Sequence, residues 1–457
     1  MHELVLLCKE YKIKGYSKKN KHELVHLINT FAQNTFTICT EENPQTDEIE
    51  FILHHLNRPC KVLNITPTFI KNGWTGRFIV ETDTTLHIHI LLAKGSGSFM
   101  DYIIYNQLNP DEKSSIPILL MESTKTCDSE SRNTAINQRF TKFAVAKKRF
   151  PDTPLVMYYN TEQDSHSPTS RFGRRLLSTC GFRAYDVVGK DLLIDSPPFE
   201  SVEEMIMEKN AFKEKKGNVS VRITQLLPHR YSISGKLSNG MNTSICHDPN
   251  IGLITGIASS IFTLDKQASF VITNHGVSLD KLKKTSDKFW YANSSYELTL
   301  EGYPHSSKDA VCPLYYWRSD TMSEKASTIN FQKFYEEKGW LTAYHNHSSS
   351  ARSDFIDECG NHHHVPKKIT LPDVVLVDKK SKHIIICEGK IVKDCLLGVK
   401  QLDNLISFQT YVESHYKGYT LELGLCLYGN SITEIELAKR KVSYPVFFSL
   451  DSEGNYY

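Results

Sequence analysis

The last third of the chain contains two short hydrophobic runs separated by a polar stretch. Residues 374–377 and 384–387 are apolar or β-branched and have the length of strands, while residues 378–382 are polar or charged. This alternation is typical of two antiparallel strands joined by a short turn. The pattern therefore predicts a β-hairpin in this part of the chain.

Charged residues stand at the ends of both predicted strands. Asp373 precedes the first hydrophobic run, and Glu388 and Lys390 follow the second. Because side chains alternate between the faces of a strand, Glu388 and Lys390 point to one side, at a sheet edge that Asp373 also reaches. Adjacent carboxylates repel each other unless a cation holds them, and a site with few oxygen ligands suits Mg²⁺. We expect Asp373 and Glu388 to bind Mg²⁺, with Lys390 beside an attacking water.

The segments around the hairpin predict helices and a further strand. Apolar residues at helical spacing predict one helix over residues 327–340 and a second over residues 394–416. The second helix is expected to turn these residues inward: Leu396, Val399, Leu402, Leu405, Ile406 and Phe408. Residues 420–430 predict another strand. The order helix, hairpin, helix, strand indicates an α/β core with a mixed sheet.

A second set of two carboxylates and a lysine occurs in the N-terminal half. Residues 116–121 predict a buried strand that ends at Glu122, Asp101 follows a Gly/Ser-rich loop, and Lys125 lies three positions beyond Glu122. In a straight strand Lys125 faces away from Glu122, so this set requires a bulge or a turn. Thr124, which is in phase with Glu122, is the alternative to the lysine. Asp101, Glu122 and Lys125 are a second candidate site, and a structural layer or a degenerate duplicate is the alternative interpretation.

The first thirty residues combine two short helical patterns with a basic segment between them. Ser17 stands where it can cap the second helix. Lysines around a helix start can bind backbone phosphates, so we expect these lysines to contact DNA: Lys14, Lys18, Lys19 and Lys21. Residues 34–48, which are polar and show no period, predict a linker.

Length and composition limit the alternatives. A chain of 457 residues with 40% hydrophobic residues suits a globular protein of several domains, which we expect over residues 1–32, 50–200, 201–315 (β-rich) and 316–445. The net charge of +2 requires any DNA-binding surface to be local. We find no apolar run of membrane-spanning length and no signal peptide, and the eleven cysteines form no CxxC pairs. We therefore expect a soluble intracellular protein with reduced thiols and no membrane partner.

The hairpin residues resemble a known nuclease motif. Pro372-Asp373 followed by Glu388-Gly389-Lys390 resembles the motif of PD-(D/E)xK nucleases, which form the core of many type II restriction endonucleases, over about residues 330–430. The resemblance implies that Asp373 and Glu388 bind Mg²⁺ and that Lys390 is the catalytic lysine. It also implies a double-stranded DNA substrate and, for a palindromic target, a homodimer.

The same resemblance suggests accessory residues. Members of the family often carry a further Glu on the helix before the sheet, a role open to Glu336 or Glu337, although a solvated helix face explains both. Some members carry a Gln and a Tyr on the following helix. Gln401 is suitably placed for the first, but Leu405 stands where the Tyr is expected.

The N-terminal segment resembles a SAP domain, a small helical DNA-binding module, over residues 1–30. The expected fold is thus a SAP-like module followed by one or more α/β cores with mixed sheets, like those of restriction endonucleases. The expected function is Mg²⁺-dependent, site-specific cleavage of double-stranded DNA. Two alternatives stay open: a structure-selective repair or recombination nuclease, and a DNA-binding protein with a decayed nuclease fold.

Overall fold

The computed structural model describes most of the chain. The described residues are 5, 16–40, 45–70, 73–95, 100–111, 113–124, 135–159, 168–211, 221–235, 249–274, 297–301, 315–317, 322–346, 355–363, 365–366 and 368–457.

Helices and strands alternate along the described chain. The helices are α1 (Lys21–Gln33), α2 (Thr46–His55), α3 (Ala135–Arg149), α4 (Pro168–Thr179), α5 (Val202–Ala211), α6 (Pro249–Leu264), α7 (Met322–Glu336), α8 (Cys395–Asp403), α9 (Ile406–His415) and α10 (Ile432–Lys439). The strands are β1 (Thr35–Thr40), β2 (Val62–Ile70), β3 (Gly73–Thr82), β4 (His87–Gly95), β5 (Tyr102–Tyr105), β6 (Leu119–Thr124), β7 (Leu155–Tyr159), β8 (Arg183–Asp186), β9 (Val221–Leu227), β10 (Arg230–Gly235), β11 (Ser269–Asn274), β12 (Glu297–Glu301), β13 (Tyr315–Trp317), β14 (Leu341–His345), β15 (Phe355–Ile356), β16 (His362–His363), β17 (Val374–Asp378), β18 (His383–Ile391), β19 (Thr420–Gly429) and β20 (Val446–Asp451). Several of the sheets mix parallel and antiparallel pairs, which confirms the α/β class.

The chain divides into two compact units, each built from two separate segments. The first unit comprises Met1–Thr40 and Lys94–Tyr316, and the second comprises Glu41–Ala93 and Trp317–Tyr457. The consecutive domain limits expected from the sequence stay predictions.

Five strands of the first unit lie side by side in the order β1-β5-β6-β7-β8. The first two neighbouring pairs are antiparallel, and the last two are parallel. A parallel pair needs a crossover connection, which α3 supplies between β6 and β7 and α4 supplies between β7 and β8.

Two expectations for the first unit were wrong. The expected linker contains β1, whose six residues are all buried; three of them are threonines, which are polar enough for a linker but are β-branched and suit a strand. The strand expected from residue 116 begins at Leu119, and Ile116 is exposed. Pro117, which has no N–H to donate, explains the later start of the strand.

The N-terminal helix α1 starts later than expected. Its cap is a reciprocal pair in which Asn20 N–H donates to Glu23 Oε2 at 2.7 Å and Glu23 N–H donates to Asn20 Oδ1 at 3.1 Å. This capping box replaces the Ser17 cap expected from the sequence. Only Asn34 separates α1 from β1. Most of the first expected helix lies outside the described residues, so the SAP-like module stays a prediction.

Helix α3 is held in place by α6, an almost wholly apolar helix of the same unit. A Cβ atom added to Gly256 of α6 meets the ring of Phe140 of α3 at 2.9 Å. Glycine therefore permits the close approach of the two helices. Along the chain, α6 connects β10 to β11, two strands of a smaller sheet of order β12-β11-β10-β9.

The second unit contains a five-stranded sheet of order β14-β17-β18-β19-β20, and a separate antiparallel meander formed by β2, β3 and β4. In the five-stranded sheet, the first two pairs are antiparallel and the last two are parallel. Helices α8 and α9 connect β18 to β19, and α10 connects β19 to β20. The predicted hairpin is therefore present as β17 and β18.

The single helix expected over residues 394–416 is two helices. Asn404, which follows α8, donates its side-chain N–H to the carbonyl of Lys400 at 2.8 Å, a local bond that competes with continued helix. The break changes the phase of the apolar stripe. Leu402, Leu405 and Phe408 are buried as expected, but Leu396 and Ile406 are exposed.

The five neighbouring strands β1-β5-β6-β7-β8 of the first unit and the five-stranded sheet of the second unit have the same strand order and the same pair directions. Their last strands also end alike. At the end of β8, Asp186 Oδ1 accepts from the N–H groups of Val188 and Lys190, and at the end of β20, Asp451 Oδ1 accepts from those of Glu453 and Asn455. The chain therefore contains one α/β core twice, which agrees with the second core that the sequence analysis left open.

No helix in the described part of the chain is both long and apolar enough to cross a lipid bilayer.

The contact between α3 and α6 predicts the effect of two glycine substitutions. We expect Gly256→Ala to lower the free energy of unfolding by about 1–3 kcal/mol, because the new methyl group overlaps the Phe140 ring. Gly173→Ala in α4 is the matched control, since its Cβ meets Ile136 at an ordinary 3.4 Å. The control should be neutral or stabilising by up to about 1 kcal/mol. Urea unfolding checks both, and an unchanged stability for Gly256→Ala contradicts the packing.

Candidate active site

The β17–β18 hairpin places Asp373 beside Glu388. Val374 at the start of β17 lies opposite Cys387 in β18, so Asp373 lies next to the residue that follows Cys387. Asp373 N–H donates to the Cys387 carbonyl at 3.2 Å, and Asp373 Oδ2 accepts from Gly389 N–H at 2.8 Å. Two backbone bonds thus fix the Asp373 carboxylate directly across from Glu388.

Lys390 completes the cluster. Its Nζ lies 3.4 Å from Glu388 Oε2 and 3.9 Å from Asp373 Oδ2, and it also donates to the Gly389 carbonyl. The side chains of Glu388 and Lys390 are 4% and 7% exposed, whereas that of Asp373 is 24% exposed. The structure brings the three predicted residues together, with Asp373 on the solvent side.

The location of the cluster differs from the sequence expectation in one respect. Glu388 and Lys390 do not follow the end of a strand at a sheet edge but lie inside β18, which runs to Ile391 between β17 and β19. Antiparallel pairing with β17 stops at Val374, while parallel pairing with β19 continues to Ile391. The site therefore lies where one neighbour of β18 ends and the other goes on, which explains the burial of its two charged residues.

The two carboxylates are close enough to affect each other strongly. Burial, followed by the neighbouring Asp373 carboxylate, raises the pKa of Glu388 to about 9, and the charge of Lys390 only partly opposes this. Burial and the neighbouring carboxylate therefore favour the protonated form of Glu388 when no cation is bound. Two hard oxygen ligands side by side are a donor set that fits Mg²⁺, whose remaining ligands are commonly waters.

Helix α8 packs directly on the lysine. A Cβ atom added to Gly398 comes within 2.8 Å of Lys390 Cγ and within 2.8 Å of Leu425 Cδ2. Gln401 lies three positions further, on the same face of the helix. Its Oε1 is buried and has no hydrogen-bond partner among the described residues. The predicted accessory Gln is therefore available for a ligand, while Leu405 is a buried core residue.

The two glutamates predicted as accessory residues, Glu336 and Glu337, are exposed. Glu336 at the end of α7 accepts from Gln332 Nε2 at 2.7 Å and from Thr342 Oγ1 at 2.6 Å. These contacts give Glu336 a structural role between α7 and β14.

The first unit contains a cluster of the same form at the equivalent place in its sheet. Tyr102 at the start of β5 lies opposite Met121, which precedes Glu122, so Asp101 lies beside Glu122. Asp101 Oδ2 accepts from Ser123 N–H at 2.8 Å. The side chain of Glu122 is 2% exposed and that of Asp101 is 24% exposed. Both predicted carboxylates are therefore brought together.

The lysine of this cluster was missed. Lys142 on α3 places its Nζ 2.7 Å from Glu122 Oε1 and 3.6 Å from Asp101 Oδ1. Arg139, one helical turn earlier, lies 3.1 Å from the same Glu122 oxygen. Lys125 lies outside the described residues, and Thr124 is buried at the end of β6. The available signal was the i, i+3 spacing of Arg139 and Lys142 on the helix after the strand.

The charges of the first cluster also shift a pKa. Burial and the Asp101 carboxylate raise the pKa of Glu122 to about 7, and the charges of Lys142 and Arg139 oppose the shift.

The predicted DNA-binding lysines are only partly described. Lys18 and Lys21 are exposed and Lys19 is half-buried, near the start of α1, whereas Lys14 lies outside the described residues. Their contact with DNA stays a prediction.

Comparison of the chain with protein-family models, with curated proteins and with solved structures finds no match. Within the described residues, no group of three or more His, Cys, Asp and Glu side chains is placed to hold a metal ion. Both candidate sites have two carboxylates each, so any ion there depends on water or substrate for its other ligands.

The raised pKa of Glu388 predicts a pH dependence of stability. Between the ordinary carboxyl pKa of 4.5 and the raised value of about 9, the folded protein keeps a proton that the unfolded chain has lost. Stability therefore falls as pH rises through this window, by up to about 1.4 kcal/mol per pH unit from this group. Glu388→Gln removes the contribution and should flatten the fall between pH 6 and pH 8 in urea unfolding with EDTA.

Glu413→Gln, an exposed carboxyl on α9, is the control and should keep the slope of the unaltered protein. Equal slopes for the unaltered protein and Glu388→Gln would show that Glu388 is not held in its protonated form.

Proposed function

We propose that the chain is a Mg²⁺-dependent endonuclease that hydrolyses phosphodiester bonds of double-stranded DNA at the Asp373, Glu388 and Lys390 site. One observation supports this most directly: two carboxylates on adjacent strands each lie within 4 Å of the same lysine amine, in a largely buried cluster. A buried Glu–Lys pair is costly to desolvate, and an apolar pair of similar size often serves stability as well. The presence of the buried Glu388–Lys390 pair beside a second carboxylate therefore favours a catalytic role over a purely structural one.

Each residue has a distinct role in the proposed reaction. Asp373 and Glu388 would hold the ion, which supplies positive charge at the phosphate and lowers the pKa of a water. The backbone N–H of Gly389 keeps the Asp373 carboxylate in position. Lys390 faces both carboxylates and can orient the attacking water or stabilise negative charge that develops on the phosphate.

Gln401 is proposed as a substrate-positioning residue. Its unpartnered Oε1 lies on the helix face that contacts Lys390 through Gly398. A buried amide oxygen without a donor costs about 1–3 kcal/mol, which a bound water or substrate group would offset.

The central test is cleavage of a long duplex DNA by the purified full chain, with and without MgCl₂, read on a gel. We expect Mg²⁺-dependent fragments, and we expect Asp373→Asn, Glu388→Gln and Lys390→Met each to lower the rate of fragment formation by roughly 10²–10³. Glu413→Gln should cleave like the unaltered protein.

The pattern of products separates the alternatives. Discrete fragments indicate a site-specific enzyme, and a smear indicates a repair-type or non-specific nuclease. DNA that is bound with ordinary salt dependence but stays intact with every metal identifies a binding protein and refutes the proposal.

The contact between α8 and the lysine predicts a positional effect. We expect Gly398→Ala to lower the cleavage rate by roughly 10- to 100-fold, because the new methyl group displaces the Lys390 stem from its place beside the carboxylates. Lys400→Ala, on an exposed position of the same helix, should have no effect. An unchanged rate for Gly398→Ala in a folded protein would show that the position of Lys390 does not matter for cleavage.

A further inference from the structure

We propose that Asp101, Glu122 and Lys142 form a second phosphodiester-hydrolysing Mg²⁺ site, so that one chain carries two. The reaction class rests on the function proposed for the first site, whereas the existence of the second site rests on its own contacts.

The strand register gives the first reason. In each unit an Asp precedes the second strand of the sheet, a Glu lies on the third, and the Asp Oδ2 accepts at 2.8 Å from the N–H of the residue after that Glu. The exposure of the carboxylates agrees as well: the two Asp side chains are each 24% exposed, and the two Glu side chains are 2% and 4% exposed. A repeated fold alone does not require the carboxylate pair to be repeated with it.

An unpartnered buried oxygen gives the second, independent reason. Glu122 Oε1 faces both Lys142 and Arg139, but Glu122 Oε2 is buried and has no hydrogen-bond partner among the described residues. Leaving one oxygen of a buried carboxyl unsatisfied is costly, and a metal ion or its bound water would satisfy it. The Asp101 carboxylate, more exposed and next to it, supplies the second ligand.

The origin of the cations distinguishes this site from the first. Lys390 comes from the strand itself, whereas Lys142 and Arg139 come from the helix that follows β6, three positions apart. Both cations contact Glu122 Oε1, and Lys142 also lies 3.6 Å from Asp101 Oδ1. In the proposed step a water oxygen bonds to phosphorus and the bond from phosphorus to the leaving deoxyribose oxygen breaks. The attacking water loses a proton to solvent, and the leaving oxygen takes a proton from solvent.

Metal stoichiometry tests the second site without relying on activity. Titration of the full chain with Mn²⁺, followed by electron paramagnetic resonance, should give two bound ions for the unaltered protein and for the controls Asp152→Asn and Glu413→Gln. Glu122→Gln and Glu388→Gln should each leave one ion, and the double variant none. If Glu122→Gln is unfolded, Asp101→Asn, which alters a more exposed carboxylate, takes its place.

The titration separates the two proposals. One ion in the unaltered protein that only Glu388→Gln removes overturns the second site and leaves the first. One ion that only Glu122→Gln removes leaves the second site and overturns the first. No bound ion in the unaltered protein overturns both.

Nicking of a supercoiled plasmid then tests hydrolysis. With the first site disabled by Asp373→Asn, we expect open circles from the second site, and adding Lys142→Met should lower their rate of formation by roughly 10²–10³. Lys148→Met, on the same helix, is the matched control and should not change the rate. Absence of nicking in the Asp373→Asn protein, or equal nicking with Lys142→Met, overturns a hydrolytic role for this cluster.

Discussion

The hydrogen bond from a backbone N–H to an Asp carboxylate on the neighbouring strand is the contact on which both candidate sites depend. In the second unit it joins Gly389 to Asp373, and in the first it joins Ser123 to Asp101. The bond fixes the Asp beside a buried Glu whose charge is unfavourable at that place. The strand pairs hold the backbone, so the two carboxylates stay side by side, as the proposed Mg²⁺ site requires.

At both sites burial raises the pKa of the Glu and the neighbouring cations lower it, and the resulting pKa differs between the sites. Glu388 faces one lysine and has a pKa raised to about 9, whereas Glu122 faces a lysine and an arginine and has a pKa raised to about 7. The first-unit cluster therefore keeps more negative charge on Glu122 at neutral pH.

Helix packing determines where the cations lie. Gly398 lets α8 rest on the Lys390 stem, and Gly256 lets α6 contact Phe140 of α3, the helix that carries Lys142. In both units a glycine is required because a methyl group would meet a neighbouring side chain at less than 3.0 Å. The geometry of each cluster is thus set by residues that carry no functional group.

The sequence by itself determined the hairpin, the α/β class and the pairs Asp373–Glu388 and Asp101–Glu122, because period-two patterns and charges next to apolar runs are local signals. It misplaced the linker at β1, since three of the six residues of this strand are threonines, which a polar linker also favours, and it joined α8 to α9, since the break depends on a local Asn404 bond. Only the tertiary structure decided that Lys142 belongs to the first cluster. Lys142 lies twenty positions from Glu122, and its i, i+3 spacing from Arg139 marks one helix face without showing which strand that face meets. The sequence suggested a second core, but only strand order and register, which long-range pairing sets, show that the two cores are alike.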